Sequence, residues 1–193
     1  MFETEWFASI AQRNAFECAF LLFVATEFAI LFLSRRNSAG QKEKSDRGSK
    51  PIIIFGFWLA LFVSWIPFGH TLPAPFYFIG TAMLLLGTVL RCWAVWTLRN
   101  FFTLSVQTKG EQQLVQSGPY RVIRHPAYTA SIIQLIGFPL GLRSWTGLIV
   151  SVIIAALVYG YRIRTEEKAL REHFGEEYEK YSRRTWRLFP FLY

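Results

Sequence analysis

The chain has almost none of the residues from which common soluble sites are built. Its two cysteines, Cys18 and Cys92, both lie inside apolar runs, which argues against a disulfide framework and gives neither a metal-ligand spacing. They are expected to be small packing residues. There is no glycine-rich dinucleotide fingerprint, no phosphate loop and no His/Cys/Asp metal cluster, so a cofactor would have to be held in another way. Acidic residues are few, 13 against 21 Lys and Arg, which leaves a formal charge of +8. The basic residues fall in short segments between apolar runs and no nucleic-acid motif accompanies them, so nucleic acid is not an expected partner. Anionic lipid headgroups account for the charge instead. Glu3 and Glu5 precede the first apolar run where a positive segment would stand in a cleavable signal peptide, so the start does not read as one.

What the chain does have is apolar surface: 52% of its 193 residues are hydrophobic and 18% aromatic, too many to be core alone. Apolar stretches at about 15–33, 51–68, 76–98, 127–142 and 145–161 predict five transmembrane helices in a single all-α membrane domain covering 1–193. The last two are short and joined only by Gly141, Leu142, Arg143 and Ser144, which reads as a tight helical hairpin. Segments 34–50, 99–126 and 162–193 carry six, four and eight Lys or Arg, whereas the alternate segments carry only Arg13 and Arg143. The positive-inside rule therefore predicts an N-terminus outside and a C-terminus in the cytoplasm, in the inner membrane if the source is bacterial. Glu27 and Arg91 interrupt the first and third stretches, where a structural ion pair or snorkelling is the expected reason.

One polar insert stands out, residues 117–128. Gly118-Pro119 and His125-Pro126 are turn signals, and between them stand Tyr120, Arg121, Arg124 and His125, with Tyr128 opening the next apolar run. Two readings are open. The insert could be an interfacial loop whose arginines meet lipid phosphates, or it could hold an anionic or polar ligand. Beyond the fifth stretch, Arg162, Glu166, Leu170 and Phe174 recur every four residues along one helical face, Gly175 is placed to end that helix, and Glu176-Glu177 to start another. The hairpin brings insert and helix to the same side of the membrane.

These residues also carry a resemblance. Gly118-Pro119-Tyr120 and Arg124-His125-Pro126-Ala127-Tyr128, followed by Glu166-Glu167, Phe174-Gly175, Tyr178, Tyr181 and Pro190, resemble the isoprenylcysteine carboxyl methyltransferase family, whose pattern related phospholipid methyltransferases share. The resemblance covers about residues 76–193, and the five-span length resembles the prokaryotic branch. It implies S-adenosyl-L-methionine as cofactor, in a cytoplasmic site built from the loop before the fourth helix and the helix after the fifth. The implied cofactor-binding positions are Gln107, Gln112, Gln113, Leu114, Val115, Tyr120, His125, Pro126, Ala127, Tyr128 and Glu166 or its neighbour Glu167. Arg162 is implied to orient an acceptor carboxylate. The expected substrate is lipid-like or prenylated and enters from the bilayer, with the carboxylate of an isoprenylcysteine-like molecule as the leading acceptor. Phospholipid amine N-methylation and an NADPH-dependent membrane reductase of the sterol reductase type are the alternatives.

Overall fold

The computed structural model describes residue 7 and residues 9–38, 49–66, 71–98 and 114–191, with backbone alone at 37–38 and 49–53. These residues form helices α1 (Ile10–Ser38), α2 (Ser49–Ser64), α3 (Pro75–Leu98), α4 (Pro126–Gly141), α5 (Trp145–Ile154), α6 (Gly160–Phe174) and α7 (Glu176–Arg183), with a short 3-10 turn at Gly118–Arg121. Helices α1 to α5 occupy the five apolar stretches. Among the described residues the only β-type pairings are two isolated bridges, so the fold is all-α.

Several helix ends follow from local chemistry. Pro75 and Pro126 open α3 and α4, where a missing N–H costs nothing. Ser144 caps α5 by accepting from the Gly147 N–H at 3.2 Å. Gly175, at φ 51°, breaks the chain between α6 and α7 in a region that disfavours any side chain. Between α5 and α6 the helix does not stop. Ala155–Tyr159 form a π turn, and Trp145–Phe174 run on as one 30-residue helix. At 1.5 Å per residue this is about 45 Å, longer than a hydrocarbon core of roughly 30 Å, so the helix projects beyond it.

Helices α3 and α4 pack most intimately. A Cβ on Gly80 would lie 2.0 Å from the Gly141 nitrogen, and one on Gly137 would lie 2.9 Å from the Leu84 nitrogen, so only glycine permits these backbones to touch. An aromatic cluster of Phe7, Phe16, Phe23, Tyr77 and Phe138 fastens α1 over this pair. At membrane depth the Arg91 Nε donates to Glu27 at 2.9 Å and its Nη1 to the Ala127 carbonyl at 3.1 Å. Of the two expected reasons, the structure shows the ion pair: the interrupting charges face each other and tie α1 and α3 to the first turn of α4.

Among the described residues three helices, Ile10–Arg36, Pro75–Leu98 and Trp145–Phe174, are long and apolar enough to cross a membrane, and the chain is a membrane protein. Helix α4 and the described apolar part of α2 are shorter. One sequence expectation fails. Cys18 and Cys92 are exposed rather than packed inside, because in a bundle dissolved in lipid an apolar position need not face protein.

Candidate functional site

The site is assembled where the insert, the start of α4 and the projecting α6 converge. The insert is held by backbone pairing with the segment that follows α7. Arg124 N–H donates to the Trp186 carbonyl at 2.7 Å, Trp186 N–H to Val122 at 2.9 Å and His125 N–H to Arg187 at 3.2 Å. The Thr129 hydroxyl adds a bond to the Leu188 carbonyl at 2.7 Å. Tyr181 reaches back from α7 and donates to the Tyr120 carbonyl at 2.7 Å. The loop is therefore clamped between a membrane helix and the C-terminal segment.

Adjacent glutamates on α6 face different partners. Glu167, 2% exposed, sits among guanidiniums, Arg124 Nε at 3.2 Å, Arg187 Nε at 3.0 Å and Nη2 at 3.0 Å and Arg171 at 3.6 Å, with the His125 Nε2 at 3.4 Å. Arg124 Nη1 donates to the carbonyls of Ser182 and Thr185. Glu167 is thus the anionic centre of the clamp. Glu166 is half-buried and accepts from the Tyr128 hydroxyl at 2.6 Å, a short bond of the charge-assisted kind. That same hydroxyl accepts from Arg162 Nε at 3.1 Å. Arg162 is 1% exposed, so a guanidinium, a phenol and a carboxylate form one line at the buried end of the site.

The Tyr128 ring stacks on His125 at 5.6 Å and leans on Tyr159 at 5.7 Å. Tyr120 is buried with Ala127 and Ala94, and Val115 packs against them. Its hydroxyl has no partner among the described residues. Burial, followed by the charge of Glu166, pushes that hydroxyl well above the usual phenol range, so it remains a donor. A buried donor without an acceptor, close to a carboxylate, suits a polar ligand.

The structure brings together Val115, Tyr120, His125, Pro126, Ala127, Tyr128, Arg162 and Glu166. Leu114 is half-buried at the start of the described loop, while Gln107, Gln112 and Gln113 lie outside the described residues. Glu167 stands apart from the Tyr128 line and serves the clamp. Sequence reasoning missed Arg187 and the pairing of residues 185–188 with the loop, for which no local signal exists. It also missed Tyr159, although the spacing of three to Arg162 puts both on one helical face.

An all-helical membrane protein with a carboxylate, a guanidinium and aromatic hydroxyls gathered where a loop meets a helix leaving the bilayer is the class that the fold and site define. The profile of the phospholipid methyltransferase family matches residues 75–177, just over half of the 193 residues, and the chain belongs to that family. It is 30% identical over 117 residues to a probable protein-S-isoprenylcysteine O-methyltransferase of Oryza sativa subsp. indica, covering 60% of this chain and 61% of that protein. It is 33% identical over 116 residues to the protein-S-isoprenylcysteine O-methyltransferase of Saccharomyces cerevisiae, covering 59% of this chain and 48% of that one. A cobalt-zinc-cadmium resistance protein of Cupriavidus metallidurans is 34% identical over 107 residues, 55% of this chain and 45% of that one. The chain thus spans about three fifths or less of the length of these relatives. A solved structure of a eukaryotic intramembrane Ras methyltransferase, isoprenylcysteine carboxyl methyltransferase, shares the fold, with TM-score 0.68 at 20% identity over 94% of this chain and 68% of that chain.

Proposed function

We propose that the protein is an S-adenosylmethionine-dependent methyltransferase of the membrane, acting on a lipophilic acceptor whose nucleophile is a carboxylate of the isoprenylcysteine type. The observation that carries this reading is the Arg162–Tyr128–Glu166 line: it offers a cation and an anion, a few ångströms apart, at the edge of a membrane helix bundle. The cofactor supplies a methyl group on a sulfonium. Glu166, half-buried and bonded to Tyr128, suits an ammonium such as that of the methionine part, and the unpartnered Tyr120 hydroxyl suits an acceptor atom beside it. Val115, His125, Pro126 and Ala127 complete the wall, and Gln107, Gln112, Gln113 and Leu114 precede it in the chain.

Arg162 offers a planar fork to the acceptor carboxylate. A carboxylate is already ionised at neutral pH, so the residues need not remove a proton, and their work is to align the acceptor and exclude water. An amine acceptor would have to lose a proton, and His125 Nε2 faces Glu167 at 3.4 Å rather than an open site. This favours the carboxylate over a phospholipid amine. Five spans, with residues 34–50, 99–126 and 162–193 in the cytoplasm, are part of the same proposal. The lipid then enters sideways between helices and the cofactor from the water.

Calorimetric titration of the purified protein tests the class. S-adenosylhomocysteine should bind in the micromolar range and NADPH should not. Binding of NADPH alone would replace this reading with the reductase.

A further inference from the structure

Arg162 is 1% exposed, and its Nε is engaged by the hydroxyl of Tyr128. The ring of that tyrosine lies against both His125 and Tyr159. An acceptor carboxylate can therefore pair with the Nε edge of the guanidinium only if the Tyr128 hydroxyl gives way. The hydroxyl of Tyr128 is oriented by its 2.6 Å bond to Glu166, the side chain assigned above to the cofactor. The two ends of the site are thus joined through one oxygen atom.

We infer that Tyr128 is a latch between the two ligands, so that a cation on Glu166 releases Arg162 for the acceptor. The inference rests on the methyltransferase reading and deepens it. In this line the Arg162 N–H donates to the phenol and the phenol O–H donates to the carboxylate, and each bond polarises and strengthens the other. An ammonium on Glu166 draws off the carboxylate charge and weakens the Tyr128 bond. The phenol oxygen then becomes a poorer acceptor, and Arg162 Nε is held less tightly beside a more movable neighbour. The cost of opening the line is met by the first ligand, and the second binds to a site already open. Thermodynamic reciprocity then requires the acceptor to tighten cofactor binding by the same factor.

The measurement is the affinity for S-adenosylhomocysteine, which retains the ammonium, with and without saturating N-acetyl-S-farnesylcysteine. Wild-type protein should bind it at least about fivefold more tightly with the acceptor probe present, within the usual range for coupled sites. The methyl ester of the probe, which lacks the carboxylate, should give no such gain. In Tyr128→Phe the ring packing is kept and the ratio should fall to near one, whatever happens to either affinity alone. Glu166→Gln, similar in shape but neutral, provides a second variant with the same expectation. A wild-type ratio of one, an equal gain from the ester, or an undiminished ratio in the two variants would overturn the latch. Absence of S-adenosylhomocysteine binding by the wild type would bring down the methyltransferase reading itself.

Discussion

Glu166 and Glu167 are neighbours in sequence, and exchanging their roles is the sharpest perturbation the site allows. Glu167 has 3% of its side chain exposed and faces Arg124, itself 11% exposed, together with the more open Arg187 and Arg171. Removing one partner of a buried ion pair costs about 3 to 5 kcal/mol, because the other charge is left uncompensated. Here the half-exposed Arg171 and the quarter-exposed Arg187 can turn to water, which places Glu167→Ala near the lower end, about 3 kcal/mol. The loss should fall on the clamp. At about 1.4 kcal/mol per factor of ten, the equilibrium for releasing residues 185–188 from the loop should shift by on the order of a hundredfold. The assay is amide hydrogen exchange in detergent, read at Trp186, whose N–H is bonded to Val122, and at Arg124, whose N–H is bonded to Trp186. Both should lose protection on that scale while amides inside α3 keep theirs. Glu166→Gln should do the converse, leaving both amides protected and lowering S-adenosylhomocysteine affinity. If Glu167→Ala leaves the two amides as protected as in the wild type, the argument from burial and charge is refuted.

Three further outcomes are expected. Glu27→Ala and Arg91→Ala should each lower the thermal unfolding temperature in detergent, and the double substitution should cost clearly less than the sum, since it leaves no orphaned charge; additive losses would show that the pair does not act as a unit. Gly80→Val should prevent close packing of α3 on α4, where even a Cβ would meet backbone at 2.0 Å, and give a protein that inserts but unfolds at markedly lower temperature; an unchanged unfolding temperature would contradict the contact. In a background with Cys18 and Cys92 replaced by serine, Ser45→Cys and Lys180→Cys should resist a membrane-impermeant thiol reagent in intact cells and react after lysis. Labelling from outside would reverse the proposed orientation.

Much of this was legible in the sequence. Apolar length found the helices, His125-Pro126 the turn before α4 and Gly175 the break before α7. That Glu27 and Arg91 need a structural reason followed from the cost of isolated charge at membrane depth, but the choice between snorkelling and the ion pair they form did not. The choice between Glu166 and Glu167 was not legible. Successive helical positions point in different directions, and which of them meets the tyrosine depends on how α6 is rotated against α4. Nor could local pattern reveal that Arg187 and Trp186 return to the loop, since isolated backbone pairing across many residues leaves no periodicity to read. The lipid-facing cysteines show the limit of hydropathy itself, which reports that a residue leaves water but not whether it enters protein or lipid.

The clamp also sets an order on how the molecule is made. Arg124 is separated by 58 and 61 residues from the Ser182 and Thr185 carbonyls that it holds. Membrane helices satisfy their own backbone as they enter the bilayer, so the bundle can be laid down while the loop still lacks its partners. The insert is then clamped only when residues 182–188 have been synthesised and have found their way back, a contact of high sequence separation that forms late and slowly compared with the helices. During translation the nascent chain thus passes through a membrane-inserted stage in which the insert is not yet clamped. A ribosome stalled with those residues still in its exit tunnel should hold a helical, inserted chain that cannot retain S-adenosylhomocysteine.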